Sequence, residues 1–176
     1  MQIRDLLKQG TDLLKYRKNA ALDCEVVLAY VLGVDSAYLL AHNNEEISEN
    51  FSVLFDVYLK KLQTGEPVAY ITQEKEFFGL NFFVDKRVLV PRPETELLVE
   101  KVIEHINSQS SEGTKLRIFD VGTGSGNIAI AVARYFEDSG LDLIDEIVAV
   151  DIDFAAIEVA KINIQQHTVY HKINVF

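Results

Sequence analysis

The run Asp120-Val121-Gly122-Thr123-Gly124-Ser125-Gly126 is the stretch of this 176-residue sequence best suited to chemistry. An apolar segment precedes it and a helical pattern follows, so three glycines stand where a strand gives way to a helix. Glycine is needed where the backbone turns sharply and where a ligand must reach the main chain without a Cβ in its way. A nucleoside-like ligand belongs at such a turn. The spacing is Gly-x-Gly-x-Gly, not the Gly-x-Gly-x-x-Gly of a dinucleotide site, and Asp120 stands two positions before Gly122. A carboxylate there repels a pyrophosphate but suits a cationic amino-acid end such as that of S-adenosylmethionine. Twenty-five residues beyond Gly126, the next strand ends at Asp151. A carboxylate at the tip of the second parallel strand reaches an adenosine ribose and accepts hydrogen bonds from both hydroxyls. Gly122, Thr123, Gly124, Ser125, Gly126 and Asp151 are therefore the candidate cofactor-binding residues. A glycine-rich turn beside an unrelated surface aspartate, or a site for another adenine nucleotide, are the competing readings.

These residues need a strand, a helix and a second parallel strand to hold them. Leu116 to Val121 reads as a short apolar strand and Gly126 to Phe136 as a helix, with Ala129, Ala131 and Ala133 suited to close packing on a sheet. Ile147 to Ile152 is the second strand, and Phe154 to about His167 a helix with Ile157, Ala160 and Ile164 on one face. Strand, helix, strand in that order implies a parallel pair with a right-handed crossover. Asp153 shares a strand side with Asp151 but is read as the cap of the following helix. Glu137 to Glu146 carries five carboxylates and reads as a solvated loop. Lys172 to Phe176 begins a third strand.

Upstream, Pro91 and Pro93 forbid strand pairing, and Pro93 suits the first turn of a helix that presents Leu98, Val99, Val102, Ile103 and Ile106. Ser108 to Gly113 reads as a polar linker. Glu76 to Val90 reads as two strands joined by a turn at Gly79-Leu80-Asn81. The first 64 residues read as helices. One pattern ends at Gly33, Ser36 to His42 is a shorter piece, and Ser48 opens another helix that closes at Gly65. Nothing in this bundle is placed for chemistry, and its aromatic stripe reads as core.

Composition narrows the partners. With 48% apolar and 25% charged residues, the chain is neither disordered, collagenous nor repetitive. Seventeen Lys plus Arg against 27 Asp plus Glu give a net charge of −10, which opposes broad contact with a nucleic-acid backbone or an anionic membrane. A small molecule or a protein is the expected partner. Cys24 is the one cysteine, and no basic-then-apolar leader opens the chain, so a reducing cytoplasm is expected. No apolar run approaches the roughly 20 residues of a membrane span. His42, His105, His167 and His171 form no metal cluster; His167 and His171 are four apart but lack a third ligand.

Pro67-Val68-Ala69-Tyr70-Ile71-Thr72, then Glu76-Phe77-Phe78-Gly79-Leu80, then Val88-Leu89-Val90-Pro91-Arg92-Pro93-Glu94-Thr95-Glu96, followed by the Gly122 to Gly126 turn, resembles the peptide chain release factor glutamine methyltransferases, the HemK/PrmC family. The likeness runs from the helical N-terminal region to Phe176. Pro91 to Glu96 is its most specific part, since the related methyltransferase acting on a ribosomal-protein glutamine lacks the Arg-Pro-Glu-Thr-Glu continuation. The resemblance implies methyl transfer from S-adenosylmethionine to the glutamine side-chain amide in the Gly-Gly-Gln motif of class I release factors. It implies a helical domain for substrate recognition at 1–64, a β-hairpin linker at 65–93, and at 94–176 the N-terminal half of a Rossmann-like α/β domain that binds the methyl donor. The fold class is thus mixed α and β. It further implies that Arg92, Pro93, Glu94 and Thr95 form a wall beside the donor pocket and the substrate glutamine; read from the residues alone, that segment is a helix entrance.

In the family, an Asn-Pro-Pro-Tyr loop after the fourth strand holds the substrate amide and aims its nitrogen. These 176 residues contain no Asn-Pro-Pro-Tyr, so no catalytic residue is assigned. The expectation is an N-terminal half with no activity of its own and weak donor affinity, whose Leu116 to Val121 strand has an open edge prone to self-association. A non-catalytic interaction module and a nucleic-acid adenine methyltransferase are the alternatives from other classes; the acidic balance and Pro91 to Glu96 oppose the second.

Overall fold

The structure, a computed structural model of the chain, describes residues 1–109 and 115–176. Its contacts divide the chain into two units, Met1–Thr72 and Gln73–Phe176.

The first unit is helical. It comprises α1 (Ile3–Leu13), α2 (Ala20–Leu32), α3 (Ser36–Ala41), α4 (Glu49–Gln63) and α5 (Val68–Thr72). Leucines and aromatics at helical spacing turn one face of each inward, and Cys24, Val27, Leu28, Phe55, Leu59 and Leu62 are fully buried together. Gly10 sets how closely three helices approach: a Cβ there would lie 2.9 Å from Cys24 Sγ and 3.2 Å from both Leu59 and Phe55. Gly33 ends α2 in the left-handed conformation. Ser48 occupies the N-cap of α4 as expected but makes no side-chain cap bond, whereas Asp35 caps α3 by accepting from the Tyr38 amide. Among the described residues no helix is long and apolar enough to cross a membrane.

The second unit is mixed. β1 (Glu74–Phe77) and β2 (Leu80–Phe83) form an antiparallel hairpin; α6 (Glu96–Gln109), β3 (Leu116–Val121), α7 (Asn127–Ser139), β4 (Ile144–Val150), α8 (Phe154–Gln166) and β5 (Ile173–Val175) follow. The sheet is parallel in the order β3-β4-β5, with Val121 opposite Val150, so both strands end at the same rim. Ala129, Ala133, Ile147 and Ala149 are buried where α7 packs on the sheet, whereas Ala131 is buried on the side of α7 that borders Phe78 and Leu80 of the hairpin.

Several sequence expectations shift. The hairpin spans 74–83, and its turn is Phe78-Gly79, not Gly79-Leu80-Asn81. Both turn residues have positive φ, 52° and 72°, the geometry that follows the twist of a tight hairpin. Two carboxylates hold this turn: Glu76 accepts from the Gly79 amide at 2.8 Å and Glu96 from the Phe78 amide at 3.1 Å. Leu98 is exposed, leaving Val99, Ile103 and Ile106 as the buried face of α6. Helix α6 continues to Gln109, and the rest of the expected Ser108 to Gly113 linker, from 110 on, lies outside the described residues.

Glu137 to Glu146 is not a solvated loop. Its first residues complete α7, β4 begins at Ile144, and four of its five acids have partners, Glu137 and Asp138 on Arg134. Asp142 meets Lys115 and Lys172, and Glu146 meets Arg117 and Asn174. The second strand correspondingly runs 144–150 rather than 147–152. Ile147 and Ala149 point into the core from one side of β4, and the register shifts at Leu116/Arg117, opposite Ile144 and Glu146.

Candidate functional site

The Gly122 to Gly126 bend leaves the rim of β3 and enters α7. The Gly122 and Thr123 amides both donate to the Val150 carbonyl, at 2.8 and 3.0 Å, which folds the bend back over the end of β4. The Gly126 amide then closes a turn on the Thr123 carbonyl at 2.8 Å. All three glycines have positive φ, but they face different surroundings. A Cβ at Gly122 or Gly124 would meet nothing within 4 Å, whereas at Gly126 it would lie 3.1 Å from Ile130 and 3.5 Å from the Ala160 Cβ. The first two glycines border open space that a ligand can enter, and the third allows α7 and α8 to approach. Thr123 and Ser125 are buried, their hydroxyls directed to Asp120 at 2.7 Å and Asn127 at 3.1 Å.

Asp151 follows the last residue of β4, and its carboxylate points at the bend. Oδ2 accepts from the Gly124 amide at 2.9 Å, and Oδ1 accepts from the Asp153 amide at 3.0 Å. These bonds fix the carboxylate and leave it further lone pairs, since an ionised carboxylate has about four acceptor positions. Asp153 accepts from the Ala155 amide and caps α8. The six residues named from sequence therefore meet at one rim of the sheet.

Asp120 adds a second carboxylate beneath the bend. Burial raises its pKa above the usual carboxylate value, opposed by the Thr123 hydroxyl and the Ala129 amide and reinforced by the negative charge of Asp151. Two carboxylates at one rim favour a cationic group there and disfavour a phosphate.

Arg92, Pro93 and Glu94 are exposed and Thr95 is half-buried, on the single 3-10 turn Pro93–Thr95 that leads into α6. That turn is a helix entrance, tied to the hairpin by Glu96. His167 Nε2 donates to the Asn81 carbonyl and His171 sits 2.8 Å from Glu137, so the two histidines have different partners. A cavity of about 230 Å³ lined by Phe136, Leu141, Ile144 and Lys172 lies at the opposite rim, where β4 begins, away from the glycines. Sequence reasoning missed Asn163 of α8, a fully buried amide whose Nδ2 donates to the Ser125 carbonyl at 2.9 Å. Its only sequence signal is a polar residue on the apolar face of a helix.

Two family models match the chain: the PrmC N-terminal domain over residues 5–72, and ribosomal protein L11 methyltransferase (PrmA) over residues 95–176. A release factor glutamine methyltransferase of Clostridium acetobutylicum is 37% identical over 167 residues, covering 94% of this chain and 55% of that protein. One from Coxiella burnetii is 38% identical over 152 residues, covering 86% of this chain and 51% of that protein. The chain thus spans about half the length of the curated relatives it matches. Among solved structures, the N-terminal domain of human METTL16 in complex with SAH overlaps 56% of this chain and 36% of that chain, at 26% identity and a TM-score of 0.41. The chain is thus similar over most of its length to release factor glutamine methyltransferases, and its residues 5–72 match the PrmC N-terminal domain.

Proposed function

We propose that this chain is the N-terminal part of an S-adenosylmethionine-dependent protein methyltransferase whose substrate is the Gly-Gly-Gln glutamine of class I release factors. In this reading 1–64 recognises the substrate, 65–93 links, and 94–176 supplies the donor-binding half of the α/β domain. The observation that carries it is the Asp151 carboxylate held 2.9 Å from the Gly124 amide, beside the open space over Gly122 and Gly124.

The residues fit the donor. Gly122 and Gly124 let it approach the main chain, Asp120 and Asp151 favour its ammonium-bearing end over an anion, and Asp151 retains acceptor positions for ribose hydroxyls. S-adenosylmethionine, when bound, supplies an electrophilic methyl group on a sulfonium. An amide nitrogen is a poor nucleophile because its lone pair is delocalised, so the remaining demand on the protein is orientation and preorganised electrostatics. Arg92, Pro93, Glu94 and Thr95 are proposed to wall the site on the substrate side.

S-adenosylhomocysteine should bind the purified chain, and Asp151→Ala should abolish that binding while leaving the helical circular-dichroism signal. Retained affinity in the variant refutes the site. Because the sequence has no Asn-Pro-Pro-Tyr, the 176-residue chain alone is expected to transfer no methyl group; turnover on a release factor would contradict this. The match of residues 95–176 to the ribosomal protein L11 methyltransferase model supports a second reading, a ribosomal-protein methyltransferase. The PrmC N-terminal match at 5–72 favours the first. A third, a non-catalytic interaction module, predicts no donor binding at all.

A further inference from the structure

Asn163 joins two parts of the second unit that are far apart in sequence. Its side chain is 0% exposed. Oδ1 accepts from the Phe83 amide at 2.7 Å, and Nδ2 donates to the Phe83 carbonyl at 3.0 Å and to the Ser125 carbonyl at 2.9 Å. One planar amide therefore pairs with the outer edge of β2 as a neighbouring strand would, and spends its remaining hydrogen on the glycine bend. Gln166 and the C-cap residue His167, three and four positions after Asn163, both reach the Asn81 carbonyl, at 3.1 and 2.9 Å, and extend this edge pairing. The next residue of the bend, Gly126, lies against Ala160 one turn earlier on α8. The bend thus rests on α8 at two successive residues, and the first of these contacts is shared with the hairpin.

We propose that Asn163 is a positioning residue for the donor site: it fixes the Gly122 to Gly126 backbone to the hairpin, so that filling the bend and immobilising β2 are one event. This rests on the donor-site reading of the bend. No other side chain substitutes for it. Aspartate keeps an acceptor but loses both donors, alanine loses all three bonds, and each loss leaves a buried backbone group without its partner. An asparagine with a merely structural part would lower stability, but it would not make ligand at one end change protection at the other.

Amide hydrogen exchange on the 176-residue chain, with and without S-adenosylhomocysteine, separates the two. In the wild type, the Phe83 and Gly126 amides should share one opening as denaturant is raised, and the ligand should slow exchange at Gly124 and, by a comparable factor, at Phe83. In Asn163→Ala, protection at Phe83 should fall about tenfold or more and stop responding to ligand, while Gly124 still responds. Asn163→Asp should hold the Phe83 amide better than Asn163→Ala yet release Gly126 equally. Separate openings of the two amides in the wild type overturn the proposal even where the variants fail to fold. Ligand-dependent protection of Phe83 in a folded Asn163→Ala overturns it too. Bend amides of the wild type that ignore S-adenosylhomocysteine defeat the donor reading instead, and the shared or separate opening still decides whether Asn163 couples bend and hairpin.

Discussion

Alanine at Gly124 and alanine at Gly126 should have opposite rank orders in stability and in donor binding. Both positions have positive φ, 55° and 79°. Forcing an L-residue into that region costs about 1–2 kcal/mol, and the stiffer unfolded chain returns about 0.4–1 kcal/mol in either case. Gly124→Ala adds nothing more, because its Cβ meets no atom within 4 Å. Gly126→Ala sets a methyl 3.1 Å from Ile130 and 3.5 Å from Ala160, and overpacking of that kind adds about 1–3 kcal/mol. The expected losses are therefore about 1 kcal/mol at 124 and about 2–4 kcal/mol at 126. Binding reverses the order: the methyl at 124 fills the space reserved for ligand and should weaken S-adenosylhomocysteine at least about tenfold, while folded Gly126→Ala keeps affinity within about threefold. Urea unfolding followed by circular dichroism gives the first comparison and calorimetric titration the second. Equal stability losses, or full affinity in Gly124→Ala, would refute the division of the glycines into open and packed.

Burial lowers the His167 pKa below the ordinary 6.5, against a raising contact from the Asn81 carbonyl. The unfolded chain then takes up that proton more readily than the folded one, so stability is fully present above about 6.5 and lost as pH falls through the unfolded value toward the folded one. His167→Gln should flatten the urea midpoint between about pH 7 and 5, and an unchanged slope counts against the assignment. Among the described residues β3 has no strand on its outer edge and leaves Phe119 and Val121 65% and 79% exposed on one face, a surface that should drive concentration-dependent association; light scattering that reports a monomer at all concentrations removes it. Burial pushes the Cys24 thiol up to about 11, so it should resist thiol reagents at pH 8 until denaturant opens the helical unit. Rapid labelling of the native chain would show that core to be loose.

The sequence revealed elements wherever local chemistry and long-range packing agree. Gly33, Asp153 and the alanines of α7 each announce a boundary or a face by residue type alone, and the order of β3, α7 and β4 follows from them. The bend and Asp151 were legible for the same reason, since glycine where a strand meets a helix has few other uses. Other features are set by partners distant in the chain. β4 begins at Ile144 because Glu146 faces Arg117 across the sheet and Asp142 meets Lys115 and Lys172, which makes an acidic stretch look like loop when read by itself. The hairpin turn at Phe78-Gly79 depends on Glu96, 18 residues away from Phe78. Helix α5, five residues long, is too short to show a period. Asn163 was invisible because its partners stand 80 and 38 residues away.

Because β2 is edged by side chains from a helix rather than by another strand, the register of α8 carries information that its composition does not. Inserting or deleting one residue near Lys161 would leave helix propensity almost untouched. It would nevertheless rotate Asn163, Gln166 and His167 together by about 100° and strip every one of them from β2. Substitutions on the solvent side of this helix should be accepted freely over evolutionary time, whereas changes in its length should be purged.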